Sequence, residues 1–245
     1  MSSFENSPDK KERNDRGWCG SFEGLVPRED LRIEDEVRVI DIDTDLLIEQ
    51  VLERGGGHVF NGHILDERFD LKQVNIAEAF GSPIRIRTFT EHTGEQTFEV
   101  TLKGFRANDK DEEEVVEYNK RYTTYDEAYR AMCMLLKKRF DFDESELFVS
   151  KTSMKDRISL RLGSVCIDID NPIMHTVDGE ENDIEYLPQF AEFEVLWPLD
   201  TPEEEQEALK KERSDLIKSL GYEPASEEYQ YGLKEMIDAY NACEK

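Results

Sequence analysis

Residues 31–41 read Leu-Arg-Ile-Glu-Asp-Glu-Val-Arg-Val-Ile-Asp, and two patterns are superimposed in them. At period two, Leu31, Ile33, Val37 and Val39 share one face, broken by Asp35, while Arg32, Glu34, Glu36 and Arg38 share the other. The stretch predicts a strand with an apolar side and a charged side. One such strand is accounted for by a sheet that wets one face. A charged row repeated on several strands points instead to a shared interior.

The row recurs. Residues 58–71 predict one long or bulged strand with Asp66, Arg68 and Asp70 on one face. Residues 83–90 set Arg85 and Arg87 against Ile84 and Ile86, and the loop 92–95 turns the chain back as a hairpin. On the returning strand Phe98, Val100 and Leu102 oppose Thr97, Glu99, Thr101 and Lys103. Residues 115–123 form a weaker strand, with Glu117 placed among the other charges. From Glu146 three further segments follow, LFVSKTSM, KDRISLRLG and SVCIDID, with turn chemistry at Gly163 and Ser164. Lys155 and Arg157 make a basic pair there, and Asp168 and Asp170 an acidic one. Residues 190–196 close the series, Phe193 and Val195 opposing Glu192 and Glu194.

Helices punctuate the strands. Asp43 or Thr44 caps a helix running to Arg54, with Leu47, Ile48, Val51 and Leu52 as its apolar stripe and glycines 55–57 ending it. Those glycines follow a helix and lead into a strand, so they are not a phosphate loop. Thr124 and Glu127 have capping-box spacing and open a helix to about Phe140, with Ala128, Met132, Leu135 and Leu136 turned inward and Met132 and Met134 read as core filler. Residues 202–221 form a helix with an acidic first turn and Gly221 at its end, and a second spans about 226–241. Residues 171–188 read as a long polar surface connection.

Composition narrows the class of partner. Lys and Arg number 31 against 57 Asp and Glu in 245 residues, a net charge of -26, which opposes attraction to nucleic acid or an anionic membrane. No apolar run approaches a membrane span, and residues 1–17 are too polar for a secretory signal, so a cytoplasmic protein is expected. Cys19, Cys133, Cys166 and Cys243 are scattered and predict reduced thiols rather than a zinc site or a disulfide framework. Residues 1–30 lack periodicity and read as a disordered tail, followed by one domain over 31–241.

Collected, the strands offer Glu34, Glu36, Glu192 and Glu194 as carboxylate pairs and Arg38, Arg85, Arg87, Lys103, Lys155 and Arg157 as cations. Lining one closed sheet, unpaired charges would each carry a desolvation penalty of several kcal/mol. They therefore need internal pairing, water or a ligand. A tripolyphosphate chain with a divalent metal satisfies both signs, because its oxygens take the cations and the metal bridges those oxygens to hard carboxylates. The alternative is a wet barrel whose ion pairs neutralise one another.

The motifs resemble those of a known family. Glu34-Asp35-Glu36-Val37-Arg38 is similar to the E-x-E-x-K signature of the CYTH proteins, the triphosphate tunnel metalloenzymes that include class IV adenylate cyclases and thiamine triphosphatases. Residues 66–70 resemble the family's D-x-[YF]-[YF]-D segment, 84–87 its R-x-R strand, 101–104 its T-L-K-G, and Lys155 with Arg157 its K-x-R. Asp170 resembles the aspartate ending its next strand, and 190–194 its closing F-x-E-x-E. The order agrees over roughly residues 30–240. Arg38 departs from the family's lysine, keeping a phosphate-binding charge but losing a compact amine. Arg68 stands at an aromatic position, and the 171–188 connection is long enough to lid a tunnel mouth.

The resemblance implies an α+β fold, an eight-stranded antiparallel β-barrel with helices packed outside and charges inside. It implies Mg2+ or Mn2+ held by Glu34, Glu36, Glu192 and Glu194 with Asp170 assisting, and a small-molecule triphosphate held by Arg38, Arg85, Arg87, Lys103, Lys155 and Arg157. Glu34, Glu36 and Arg38 form the catalytic set. Three activities follow: a metal-dependent triphosphatase acting on tripolyphosphate, thiamine triphosphate or a nucleoside triphosphate, a class IV adenylate cyclase, or a module that binds nucleotide or polyphosphate without turnover. Neither nucleic acid nor membrane is an expected partner, and the oligomeric state is left open, a homodimer included.

Overall fold

The computed structural model describes residues 25–80, 83–107, 113–177, 180–183 and 189–226. Among the described residues nine strands run in chain order: β1 Leu31–Ile40, β2 Gly57–Leu71, β3 Ile84–Glu91, β4 Gln96–Ala107, β5 Glu113–Tyr122, β6 Leu147–Leu162, β7 Val165–Val177, β8 Glu180–Asp183 and β9 Phe190–Pro198. Every pairing is antiparallel. The sheet order is β6-β2-β3-β4-β5-β1-β9-β7-β8, and β6 also pairs with β7. That last pairing closes eight strands into a barrel, which removes the open edges a flat sheet would leave. Strand β8 lies outside the ring, on the far end of β7.

Period-two alternation decides which side each residue faces. The apolar sides of the strands pack outward against the helices α1 Thr44–Glu53, α3 Tyr125–Lys137 and α4 Glu203–Ser219; α2 is the short turn Ile76–Phe80. Ile33, Val100, Ile167 and Phe193 from the strands share one core with Leu47 and Val51 of α1, Met132 and Leu136 of α3, and Ile217 of α4. The charged sides turn inward. Lys103 of β4 reaches Glu34 of β1 across the intervening β5, and Arg157 of β6 reaches Glu192 of β9 across β7. Contacts that skip a strand require the concave side.

Local chemistry sets the element ends. Asp43 caps α1 by accepting from the Leu46 N–H, and Gly55 leaves the helix at φ 87°. Thr124 and Glu127 form the reciprocal capping box of α3. Gly163 adopts φ 61° in the β6–β7 turn, where a β-branched residue would be strained.

Several expectations are corrected. Residues 147–162 are one continuous strand, not two segments, because both read with the same alternation and only a register shift near Met154 interrupts them. The 171–188 connection is no simple loop: β7 runs on to Val177, and β8 pairs back onto it. Leu52 is 41% exposed and Met134 66% exposed, since the barrel contacts only the stripes centred on Leu47 and Val51 and on Ala128, Met132 and Leu136. Helix α3 stops at Lys137 rather than near Phe140. Most of the 1–30 tail and nearly all of the second C-terminal helix lie outside the described residues; Leu25 and Val26 already pack into the core.

Candidate active site

Two groups of charge occupy the interior. The first is basic and heavily paired. Arg87 of β3 donates through Nε (2.7 Å) and Nη2 (2.9 Å) to the two oxygens of Asp66 on β2, and Arg85 approaches the same carboxylate at 3.5 Å. Burial alone would raise the Asp66 pKa, but Arg87 and Arg85 hold it well below the ordinary carboxylate range. Arg157 of β6 donates to both oxygens of Asp170 at 2.6 Å, to Glu192 at 3.0 Å and also to Asp168. Lys155 bonds Asp170, and burial together with the neighbouring Arg157 lowers its pKa. Arg38 of β1 donates to Glu192 at 2.9 and 2.7 Å and lies 3.0 Å from Glu36. Its guanidinium sits 6.0 Å from the ring of Phe190, the inward-facing neighbour of Glu192.

The second group is acidic. One carboxylate oxygen each from Glu34 of β1, Glu117 of β5 and Glu194 of β9 lies within 4.8 Å of the others. The strand order explains the grouping, since β5 and β9 flank β1. Lys103 is the nearest counter-charge, 2.7 Å from Glu34 and 3.5 Å from Glu117. Burial and the charges of Glu34 and Glu117 push the Glu194 pKa well up. Burial also raises Glu34, against the pull of Lys103, and pushes Glu36 up to about 8 with the help of Glu192. Although burial opposes it, Lys103 and Arg85 keep Glu117 below its usual value. Glu117 also lines a recess of about 280 Å³ with Asp30, Arg32, Asn119, Lys120 and Leu196, so the acidic group adjoins the protein surface.

Among the described residues, two buried donors from adjacent strands of the basic wall, β3 and β4, lack an acceptor. Arg85 Nε and Thr101 Oγ1 belong to cross-strand partners on β3 and β4, and neither has a hydrogen-bond partner. A buried unsatisfied donor carries a penalty of about 1–3 kcal/mol.

No family model and no curated protein matches the sequence. Solved structures do match. A candidate adenylate cyclase from Vibrio parahaemolyticus superposes with a TM-score of 0.54 at 18% identity, over 84% of this chain and 98% of that one. The PH1819 protein of Pyrococcus horikoshii gives 0.53 at 17%, over 84% and 99%. HpAC1 of Hippeastrum, described as having a dominant triphosphatase activity, gives 0.49 at 14%, over 86% and 95%. The chain shares the fold of the first two. It is the eight-stranded barrel that the resemblance to the CYTH proteins implies.

The barrel interior brings together Glu34, Glu36, Arg38, Arg85, Arg87, Lys103, Lys155, Arg157, Asp170, Glu192 and Glu194. It does not bring the expected metal ligands into one cluster. Glu192 and Asp170 are occupied by Arg38, Arg157 and Lys155, and Glu36 stands on Arg38. Glu117, which the expected set lacked, lies beside Glu34 and Glu194. Its period-two position marked it as inward facing, but adjacency to Glu34 depends on the β5–β1 pairing, in which Glu117 faces Arg32 and Val115 faces Glu34. Cys166 is also inward facing: its thiol donates to Asp168 Oδ1 at 3.8 Å, and burial and Asp168 push its pKa up to about 12. Among the described residues no helix is long and apolar enough to cross a membrane.

Proposed function

We propose that this protein is a metal-dependent triphosphatase that binds its substrate inside the barrel. The observation that carries the reading is the pair of buried, unpartnered donors, Arg85 Nε and Thr101 Oγ1, on a wall that also holds Arg87 and Lys103. The ion pairs inside the barrel leave both donors without an acceptor. A phosphate oxygen is an acceptor of the right charge and reach.

The donor chemistry of the acidic group fits a divalent cation. Glu34, Glu117 and Glu194 offer hard oxygens close together, which suits Mg2+ or Mn2+ rather than a softer metal. When bound, such a cation supplies Lewis-acid stabilisation of charge on the phosphoryl oxygens. Glu36, Asp170 and Glu192 surround the phosphate cations and set their positions. Arg85, Arg87, Lys103, Lys155, Arg157 and Arg38 bind the non-bridging oxygens. To do so, Arg87 and Arg85 exchange part of their contact with Asp66 for substrate, and Lys155 and Arg157 part of theirs with Asp170. Held in this low-dielectric interior, the triphosphate is oriented for in-line displacement by water, with the side chains contributing position and charge rather than covalent chemistry.

The test is product analysis of purified protein with tripolyphosphate, thiamine triphosphate and ATP, each with Mg2+ and with Mn2+. Orthophosphate release that is lost in Arg85→Ala is the expected result. Cyclic AMP with pyrophosphate from ATP would instead make the protein a cyclase. Tight binding without any turnover would make it a binding module.

A further inference from the structure

Above the phosphate-facing cations the lining of the barrel changes character. Phe89 follows Arg85 and Arg87 on the inward side of β3, and Phe60 meets it edge-on with centroids 5.3 Å apart and planes at 80°. Two guanidinium groups contact this one ring: that of Arg87 lies 5.9 Å from its centroid and that of Arg121 lies 4.9 Å away. The two arginines differ in access. The Arg87 side chain is 12% exposed, whereas that of Arg121 is 65% exposed. Arg121 is nevertheless held in place, because its Nε donates to Glu99 Oε2 at 3.1 Å and Glu99 is itself buried.

The result is a layered structure. Phe60 braces Phe89, the guanidinium carbon of Arg121 lies over the Phe89 ring, Glu99 holds its Nε edge, and the rest of the side chain is largely exposed to solvent. Phe89 itself is 8% exposed and presents no docking face of its own. A planar cation on an aromatic support is a stacking platform, for a π-face of any heteroaromatic ring packs on guanidinium as it does on an aromatic side chain. A single ring separates this platform from Arg87, which places it at the end of the phosphate-binding wall.

We propose that the Arg121 platform receives the planar heteroaromatic head of an organic triphosphate, so that the substrate class is a nucleoside-type triphosphate rather than inorganic tripolyphosphate. This rests on the triphosphate reading given above. Binding by calorimetry in Mg2+ separates the two ideas, with adenosine 5′-(β,γ-imido)triphosphate and inorganic imidotriphosphate as probes that resist hydrolysis. The wild type should prefer the adenosine compound. Arg121→Ala should lower the ratio of the two association constants about tenfold, with circular dichroism melts confirming a folded protein. Arg121→Lys should behave like Arg121→Ala, since it keeps the charge and loses the plane. Restoration of the ratio by lysine would reduce Arg121 to a point charge and overturn the proposal, as would an unchanged ratio in Arg121→Ala. Imidotriphosphate bound at least as tightly as the adenosine compound would also overturn it while leaving the triphosphate reading intact. A wild type that binds neither probe would remove both.

Discussion

Asp66 illustrates how one residue sets the resting state of the interior. Its carboxylate is buried, receives two hydrogen bonds from Arg87, and has Arg85 3.5 Å away. Its folded pKa is therefore depressed below the unfolded value of about 3.9. A depressed carboxylate contributes stability that is fully present above the unfolded pKa and is lost as pH falls through and below it. Acid titration of the wild type should show stability declining from about pH 4 downward. Asp66→Asn should flatten that decline and lower stability at pH 7, since it takes from Arg87 its paired carboxylate and leaves Arg85 only the more distant Glu117 at 4.0 Å. Urea denaturation midpoints measured from pH 3 to pH 7 check this; parallel profiles for the two proteins would show that Asp66 does not carry the acid sensitivity.

At the level of elements, Asp35 is the residue that breaks the apolar row of β1, and α4 accounts for it. Arg213 is buried and donates from Nη1 to both the backbone oxygen and Oδ1 of Asp35 at 2.6 Å, pinning the helix to the strand that carries Glu34 and Glu36. Removing one partner of a fully buried ion pair costs about 3–5 kcal/mol; Asp35 is 26% exposed, so Arg213→Ala should cost about 2–3 kcal/mol. Asp35→Val combined with Arg213→Met should recover most of that loss, because the apolar pair restores the alternation of the strand. Chemical denaturation of the single and double variants tests both statements. The strands were legible in the sequence because burying one side and charging the other leaves a period-two signature, and the capping box of α3 was legible because it is local. What was not legible depended on pairing partners. The exception at Asp35 needed α4, the membership of Glu117 in the acidic group needed the β5–β1 neighbourhood, and β8 was hidden in a polar stretch with no apolar alternation. The exposed positions of Leu52 and Met134 depend on where the barrel wall ends, which no helix sequence records.

For the whole molecule, the consequence of lining a closed barrel with both signs of charge is that neither ligand component alone satisfies it. A divalent cation would relieve the repulsion among Glu34, Glu117 and Glu194, and a triphosphate would satisfy Arg85 and Thr101, but each component brings charge that the other neutralises. Mg2+ and tripolyphosphate together should therefore raise the melting temperature by more than the sum of their separate effects. Saturation at about 100 times Kd adds about 2.7 kcal/mol, which for a chain of this size is a shift of roughly 5–10 °C. Glu117→Gln and Glu36→Gln then distinguish the two possible seats of the cation. Each keeps the side-chain volume nearly constant; without ligands the melting temperature should stay level or rise in Glu36→Gln, whose carboxyl is pushed up to about 8, and should fall in Glu117→Gln, whose carboxylate is held ionised by Lys103 and Arg85. Glu117→Gln should abolish the excess obtained with Mg2+, and Glu36→Gln, whose carboxylate stands on Arg38, should retain part of it. The reverse order would move the cation to the Glu36 side of β1, and an excess unchanged in both variants would mean that the acidic group does not hold the metal.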